Sequence, residues 1–124
     1  MPATNCPRAG YHSVTPRIVA SDPAGQVRFL RNVFDATGEF YLDRPTEIRV
    51  GDSLIMVSWA GERDPFPGFL YVYVDNADDV YRRAVAAGAT TLEAPLDTPY
   101  GDRRAMVRDP FGNVFQIAHQ ILLG

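Results

Sequence analysis

Two periods govern where apolar residues fall along this chain, one near two and one near 3.6, and their order predicts its elements. Residues 11–20 alternate well enough for a strand, with Pro16 confining it to an edge or to a position that needs no ladder donor. Ser21 and Asp22 are helix-capping types and Pro23 is a favoured first helical residue, so a helix begins there. Val27, Leu30, Val33 and Phe34 keep helical spacing, and Gly38 is placed to end the segment through a left-handed position. A short strand over 39–42 follows. Then come 46–50, the pair Gly51-Asp52 and 53–59, which read as a hairpin. Residues 60–68, with Pro65, Pro67 and two glycines, read as a linker.

The order then repeats. Residues 69–74 form a strand, Asp75 or Asn76 caps a helix with Ala77, Val80, Tyr81 and Ala84 on one face, and Gly88 closes it. A short strand over 90–93 and a loop over 95–102 lead into a last hairpin, whose corner is Asp109-Pro-Phe-Gly112. With Pro110 and Phe111 as a two-residue loop, Ala105 faces Gln116 and Met106 faces Phe115. Each half is therefore strand, helix, three strands. A unit of about 50 residues cannot bury its own sheet face, so the two βαβββ modules, 11–59 and 69–124, share one core and form a single α+β domain. Residues 1–10, which lack periodicity and hold Cys6, read as a loose tail.

Alternation also sorts side chains between the two faces of each sheet. In 69–74, Leu70, Val72 and Val74 suit packing against a helix, while Phe69, Tyr71 and Tyr73 present flat rings and two hydroxyls to the other side. The same face collects Thr15 and Arg17, Glu47 and Arg49, Leu54, Met56 and Ser58, with Trp59 at its end. In the last hairpin it groups Arg103, Ala105 and Gln116. The plainer alternative is that the tyrosines line a dimer interface or a solvated surface and that the arginines pair with nearby carboxylates.

Composition narrows the classes of partner. At 124 residues, 46% hydrophobic and 22% charged, the chain has material for a real core. A net charge of −3 with scattered arginines and no basic run argues against nucleic acid. No apolar run reaches the roughly 18 residues of a membrane span, and no signal-peptide pattern opens the chain. One cysteine excludes an internal disulfide and fits a reducing cytoplasm. His12 and His119 lie on poorly matched positions for a shared site, and Cys6 lacks an activating neighbourhood beyond Arg8.

The repeat, together with Arg-Asp-Pro-Phe-Gly-Asn-Val at 108–114 and Tyr-Gly-Asp-Arg at 100–103, resembles the vicinal oxygen chelate superfamily of glyoxalases, bleomycin-resistance proteins and extradiol dioxygenases. Gly-Tyr-His-Ser-Val-Thr-Pro at 10–16 is similar to its PhnB-like branch. The resemblance implies paired modules whose mixed sheet curls round a groove, and a dimer in which both chains complete the grooves. It also implies metal-ligand positions at Thr15, Met56, Phe69 and Gln116. None of these is a good ligand for a divalent metal, so no metal or other cofactor is expected.

Three functions follow from the combined reading. The first is a metal-free binder of a small planar or amphipathic molecule, using Thr15, Arg17, Arg49, Met56, Ser58, Trp59, Phe69, Tyr71, Tyr73, Arg103 and Gln116. The second is a metal-independent lyase, isomerase or cyclase, with Glu47 as base and Tyr71, Tyr73 or Arg103 stabilising negative charge. The third is a divalent-metal enzyme of the glyoxalase kind.

Overall fold

The computed structural model describes residues 10–61 and 64–121. The tail expected at 1–10 lies almost wholly outside them. Two helices and seven strands follow in the order β1 (Arg17–Ala20), α1 (Pro23–Phe34), β2 (Thr46–Val50), β3 (Ser53–Trp59), β4 (Phe69–Tyr73), α2 (Ala77–Ala86), β5 (Thr90–Asp97), β6 (Asp102–Arg108) and β7 (Val114–Gln120). They build an α+β fold with one sheet ordered β1-β3-β2 and another ordered β4-β7-β6-β5. In each, the strand before the helix runs parallel to the last strand of its half, and the remaining contacts are antiparallel. No helix among the described residues is long and apolar enough to cross a membrane.

The halves repeat, with one strand reduced to a remnant. The segment expected as a strand over 39–42 is irregular; pairing occurs earlier and only once, where Thr37 and Arg49 exchange backbone hydrogen bonds of 3.0 and 2.8 Å. Gly38 serves that contact rather than ending the helix. A Cβ on it would lie 2.4 Å from the Glu47 carbonyl oxygen, and its φ is +130°. The helix is instead closed by Asp35 in the left-handed region at φ 55°, whose N–H reaches the Leu30 carbonyl. The first strand is likewise shorter than expected. It starts at Arg17, because Pro16 has no N–H to donate and contributes only its carbonyl, to Met56 N at 2.9 Å.

In the second half β5 runs longer than expected, to Asp97, by tolerating register breaks between Thr91 and Glu93 and between Glu93 and Leu96. Pro95 falls in the second break, on an edge strand, where a missing donor costs little. Helix α2 starts as expected at Asn76, whose side chain accepts from Asp79 N at 3.1 Å. His119 adds a second cap from β7, its Nδ1 accepting from Ala77 N at 2.7 Å. That bond employs the ring at the helix end, while His12 is exposed near the tail.

A single core draws on both halves. Ile18, Leu30, Val33, Ile48 and Val57 meet Val80, Val107, Phe115 and Ile117, all buried. Phe115 of β7 stacks on Phe29 and packs at a tilt against Phe34 of α1, at ring-centre distances of 6.0 and 5.3 Å, so a helix of the first half lies directly on a strand of the second. Burial of such a ring contributes roughly 1.5–3 kcal/mol.

The last hairpin corrects the expected register. Its loop spans 109–113 rather than two residues, because Asp109 N donates to the Asn113 carbonyl at 2.8 Å while Asp109 Oδ1 accepts from Phe111 N and Asn113 N. Ala105 therefore faces Ile117, Met106 faces Gln116 and Val107 faces Phe115. A shift of one residue exchanges the faces of a whole strand. Arg103 turns to the helix side, where it pairs with Asp78 and Asp97, and Arg104 takes its expected place.

Candidate functional site

Sheet register fixes which side chains share the faces turned away from the helices. On the first sheet, Arg17 stands beside Met56 on β1 and β3, and Glu47 and Arg49 of β2 stand opposite Met56 and Leu54. Arg17 Nη2 lies 3.1 Å from Met56 Sδ. Thr15 is half-buried just before β1. Where the chain passes the ends of β1 and β3, residues 40–45 wall off an open cleft of about 650 Å³ that includes Arg17, Ser58 and Trp59 with Phe40 and Tyr41. Trp59 is mostly exposed there. Arg44 lies over the Tyr41 ring at 3.9 Å, a cation–π contact. Sequence reasoning missed this wall, since its anticipated strand would have lain flat against the sheet.

The second sheet carries a denser arrangement. Phe69, Tyr71 and Tyr73 of β4 lie beside Val114, Gln116 and Ala118 of β7, and Asp102, Arg104 and Met106 of β6 continue the same face. Asp102 is 5% exposed, and its Oδ2 accepts from the hydroxyls of both Tyr71, at 2.5 Å, and Tyr73, at 2.8 Å. The turn behind it is closed by Thr98, whose hydroxyl accepts from Asp102 N at 3.0 Å and donates to the Asp102 carbonyl at 2.9 Å. The two tyrosine rings are 5.3 Å apart and tilted by 58°. Arg104 pairs with Glu93 and donates to the Tyr100 hydroxyl at 2.8 Å. Its Nε is buried with no hydrogen-bond partner among the described residues.

Electrostatics hold these phenols neutral. Burial first, then donation to Asp102, pushes the Tyr71 hydroxyl well above the usual phenol range. Donation to Asp102 is the leading cause of the upward displacement of Tyr73. Both hydroxyls are thus firm donors and poor proton sources.

The residues anticipated from sequence consequently divide. Arg17, Ser58 and Trp59 share the larger cleft, with Met56, Glu47 and Arg49 on the adjoining sheet face. Phe69, Tyr71, Tyr73 and Gln116 share the other face, and Tyr71 and Tyr73 border a smaller cleft of about 230 Å³ between β4 and the 50–53 turn. Arg103 belongs to neither. Asp102, Arg104 and Tyr100 were missed; the wrong hairpin register hid the first two, and the signal that could have corrected it was the capping capacity of Asp109 at the corner.

At the positions where the family resemblance implies metal ligands, Met56 Sδ faces a guanidinium, Phe69 has no donor atom, and Thr15, just before β1, and Gln116, on β7, offer neutral oxygens. Among the described residues, no three His, Cys, Asp or Glu side chains cluster as ion ligands would.

Paired βα-and-hairpin halves around one core define a scaffold of repeated modules. The chain belongs to the Glyoxalase/Bleomycin resistance protein/Dioxygenase superfamily, whose family model matches residues 11–117. An uncharacterized protein of Mycobacterium bovis is 25% identical over 127 residues, covering 88% of this chain and 84% of that protein. Among solved structures, TioX from Micromonospora sp. ML1 superposes with a TM-score of 0.76 at 23% identity, covering 89% of this chain and 99% of that one. A glyoxalase/bleomycin resistance protein/dioxygenase family enzyme from Burkholderia phytofirmans gives 0.74 at 25% identity, covering 85% and 95%.

Proposed function

We propose that this protein binds a small, flat or amphipathic organic molecule on its outer sheet faces without a divalent metal. The observation that carries the reading is the second-sheet face, where Tyr71 and Tyr73 are fixed by a buried carboxylate and flanked by Gln116, Arg104 and Phe69. Rings held in one orientation bind flat ligands with little loss of side-chain freedom. The poor donor set at Thr15, Met56, Phe69 and Gln116 supports the metal-free part. The superfamily assignment supports a groove that a second copy of the chain would complete. Membership of the PhnB-like branch rests only on the 10–16 motif.

Binding is favoured over metal-independent catalysis. The base proposed for catalysis, Glu47, stands on one sheet and the tyrosines on the other, while Arg103 is committed to Asp78 and Asp97. The tyrosine hydroxyls donate to Asp102 and resist ionisation. All 12 basic residues of the chain are arginine, so no lysine is present to form a Schiff base.

A thermal-shift and NMR screen of planar aromatic compounds tests the reading, with Tyr73→Ala alongside the wild type. Hits are expected to raise the wild-type melting temperature and to lose roughly tenfold in affinity in the variant, the order of one aromatic contact. Absence of any hit, or hits indifferent to the substitution, would sink the proposal. Stoichiometric nickel, zinc, iron or manganese in the purified protein would overturn its metal-free part.

A further inference from the structure

Asp102 is a buried carboxylate with no cationic side chain bonded to it among the described residues. It is 5% exposed, and its side-chain partners are the two phenol hydroxyls. The nearest guanidinium on its own strand and face, Arg104, is engaged by Glu93 and Tyr100 instead. Two carboxylates against one guanidinium leave this cluster with one net negative charge. A buried anion satisfied only by neutral donors keeps its field, and nearby low-polarity rings weaken the screening of it.

Above the carboxylate the rings are open. Tyr71, Tyr73 and Tyr100 are 38%, 64% and 60% exposed, and the Tyr100 hydroxyl accepts from Arg104, which shares the sheet face of Asp102. Phenols that donate to an anion gain electron density on the ring, which strengthens the attraction of the ring face for a positive charge. A free carboxylate or phosphate would meet the same field as repulsion.

We propose that Tyr71 and Tyr73, set over Asp102, with Tyr100 from the neighbouring turn, form a receptor for an organic cation, a quaternary or alkylated amine attached to the small molecule that the groove holds. The inference rests on the small-molecule reading above and adds the charge of the ligand. The amine lies against the ring faces, and Asp102 supplies the counter-charge through the phenols without a direct salt bridge. The apolar remainder of the ligand extends over Phe69 and toward Gln116, which continue the face along β4 and β7.

The test compares choline with its neutral carbon isostere, 3,3-dimethylbutan-1-ol, titrated into full-length protein while the tyrosine ring resonances are followed by NMR. Choline is expected to move the signals of Tyr71, Tyr73 and Tyr100 and to bind roughly tenfold more tightly than the isostere. Asp102→Asn, which retains an acceptor for the phenols, is expected to abolish the preference while leaving spectral dispersion intact. If that variant fails to fold, Tyr100→Leu carries the same comparison, since it removes a largely exposed ring and leaves the buried carboxylate in place. Equal binding of choline and isostere at these rings, or binding of planar neutral compounds with none of choline, overturns the cation receptor and leaves the general binding reading standing. No response to either probe, together with no hit in the planar-compound screen, removes both.

Discussion

Asp102 and Asp109 are buried carboxylates at opposite ends of one strand, and the fold compensates them differently. Asp109, 3% exposed, accepts four hydrogen bonds, from Phe111 N, Asn113 N, Gln26 Nε2 and Asn113 Nδ2. Two of the donors shape the hairpin corner and one comes from α1. Asp109→Ala strands them in a buried place and is expected to cost about 3 kcal/mol or more in urea unfolding, with Asp109→Asn, which keeps one acceptor, costing less. Asp102 instead holds two phenols whose ionisation it opposes. In a spectrophotometric titration, Tyr71 and Tyr73 are expected to ionise only above the ordinary phenol range near pH 10. The sign of the stability effect follows directly. Below about pH 10 both states keep these phenols protonated, while above it the unfolded chain loses its protons first, so stability falls as pH rises. Asp102→Asn is expected to bring Tyr73 back toward the ordinary range. Tyr71 should move less, because burial is its leading cause.

At the scale of elements, the helices and the 46–59 hairpin were legible in the sequence because their signals are local: Asp22-Pro23, Asn76, Gly51-Asp52 and clean alternation between them. The last hairpin was legible in its existence and illegible in its register, since the loop length depends on Asp109 capping two backbone donors rather than on Pro110 and Gly112 alone. That single residue of slippage exchanged Arg103 for Arg104 and concealed Asp102, and with it the most distinctive chemistry of the second face. The corner also meets α1 in a way no local signal reveals. A Cβ on Gly25 would lie 2.9 Å from the Phe111 ring and 2.4 Å from Asp22 Oδ2, the side chain that caps the helix through Gly25 N. Replacing a helical glycine by alanine ordinarily gains up to about 1 kcal/mol. Gly25→Ala is expected to reverse that sign and lower stability by roughly 1–2 kcal/mol, because either the cap or the ring must give way.

For the whole molecule, the shared core predicts that the two halves, although each repeats the same order of elements, unfold as one unit. The first sheet has three strands and only the Thr37–Arg49 backbone bridge where the second has a fourth strand. What completes it comes from the other half. Phe115 fills the space beside Phe29 and Phe34, and Gln26 is tied to Asp109 and Asn113 by bonds of 2.8 and 2.7 Å. Arg83 of α2 donates twice to the Val33 carbonyl at the end of α1, satisfying an acceptor the helix leaves open. Buried polar contacts of this kind are worth little unless all members are in place, so their loss in one half leaves unsatisfied groups in the other. Hydrogen exchange under native conditions should therefore report one free energy for the slowest amides of both sheets, Ile55 and Val57 in β3 and Phe115 and Ile117 in β7. Phe115→Ala should lower that value by about 3–5 kcal/mol in both sheets equally. Slow amides in β7 that kept their protection while those of β3 lost it would show two independent units, and the shared core would then be packing without cooperativity.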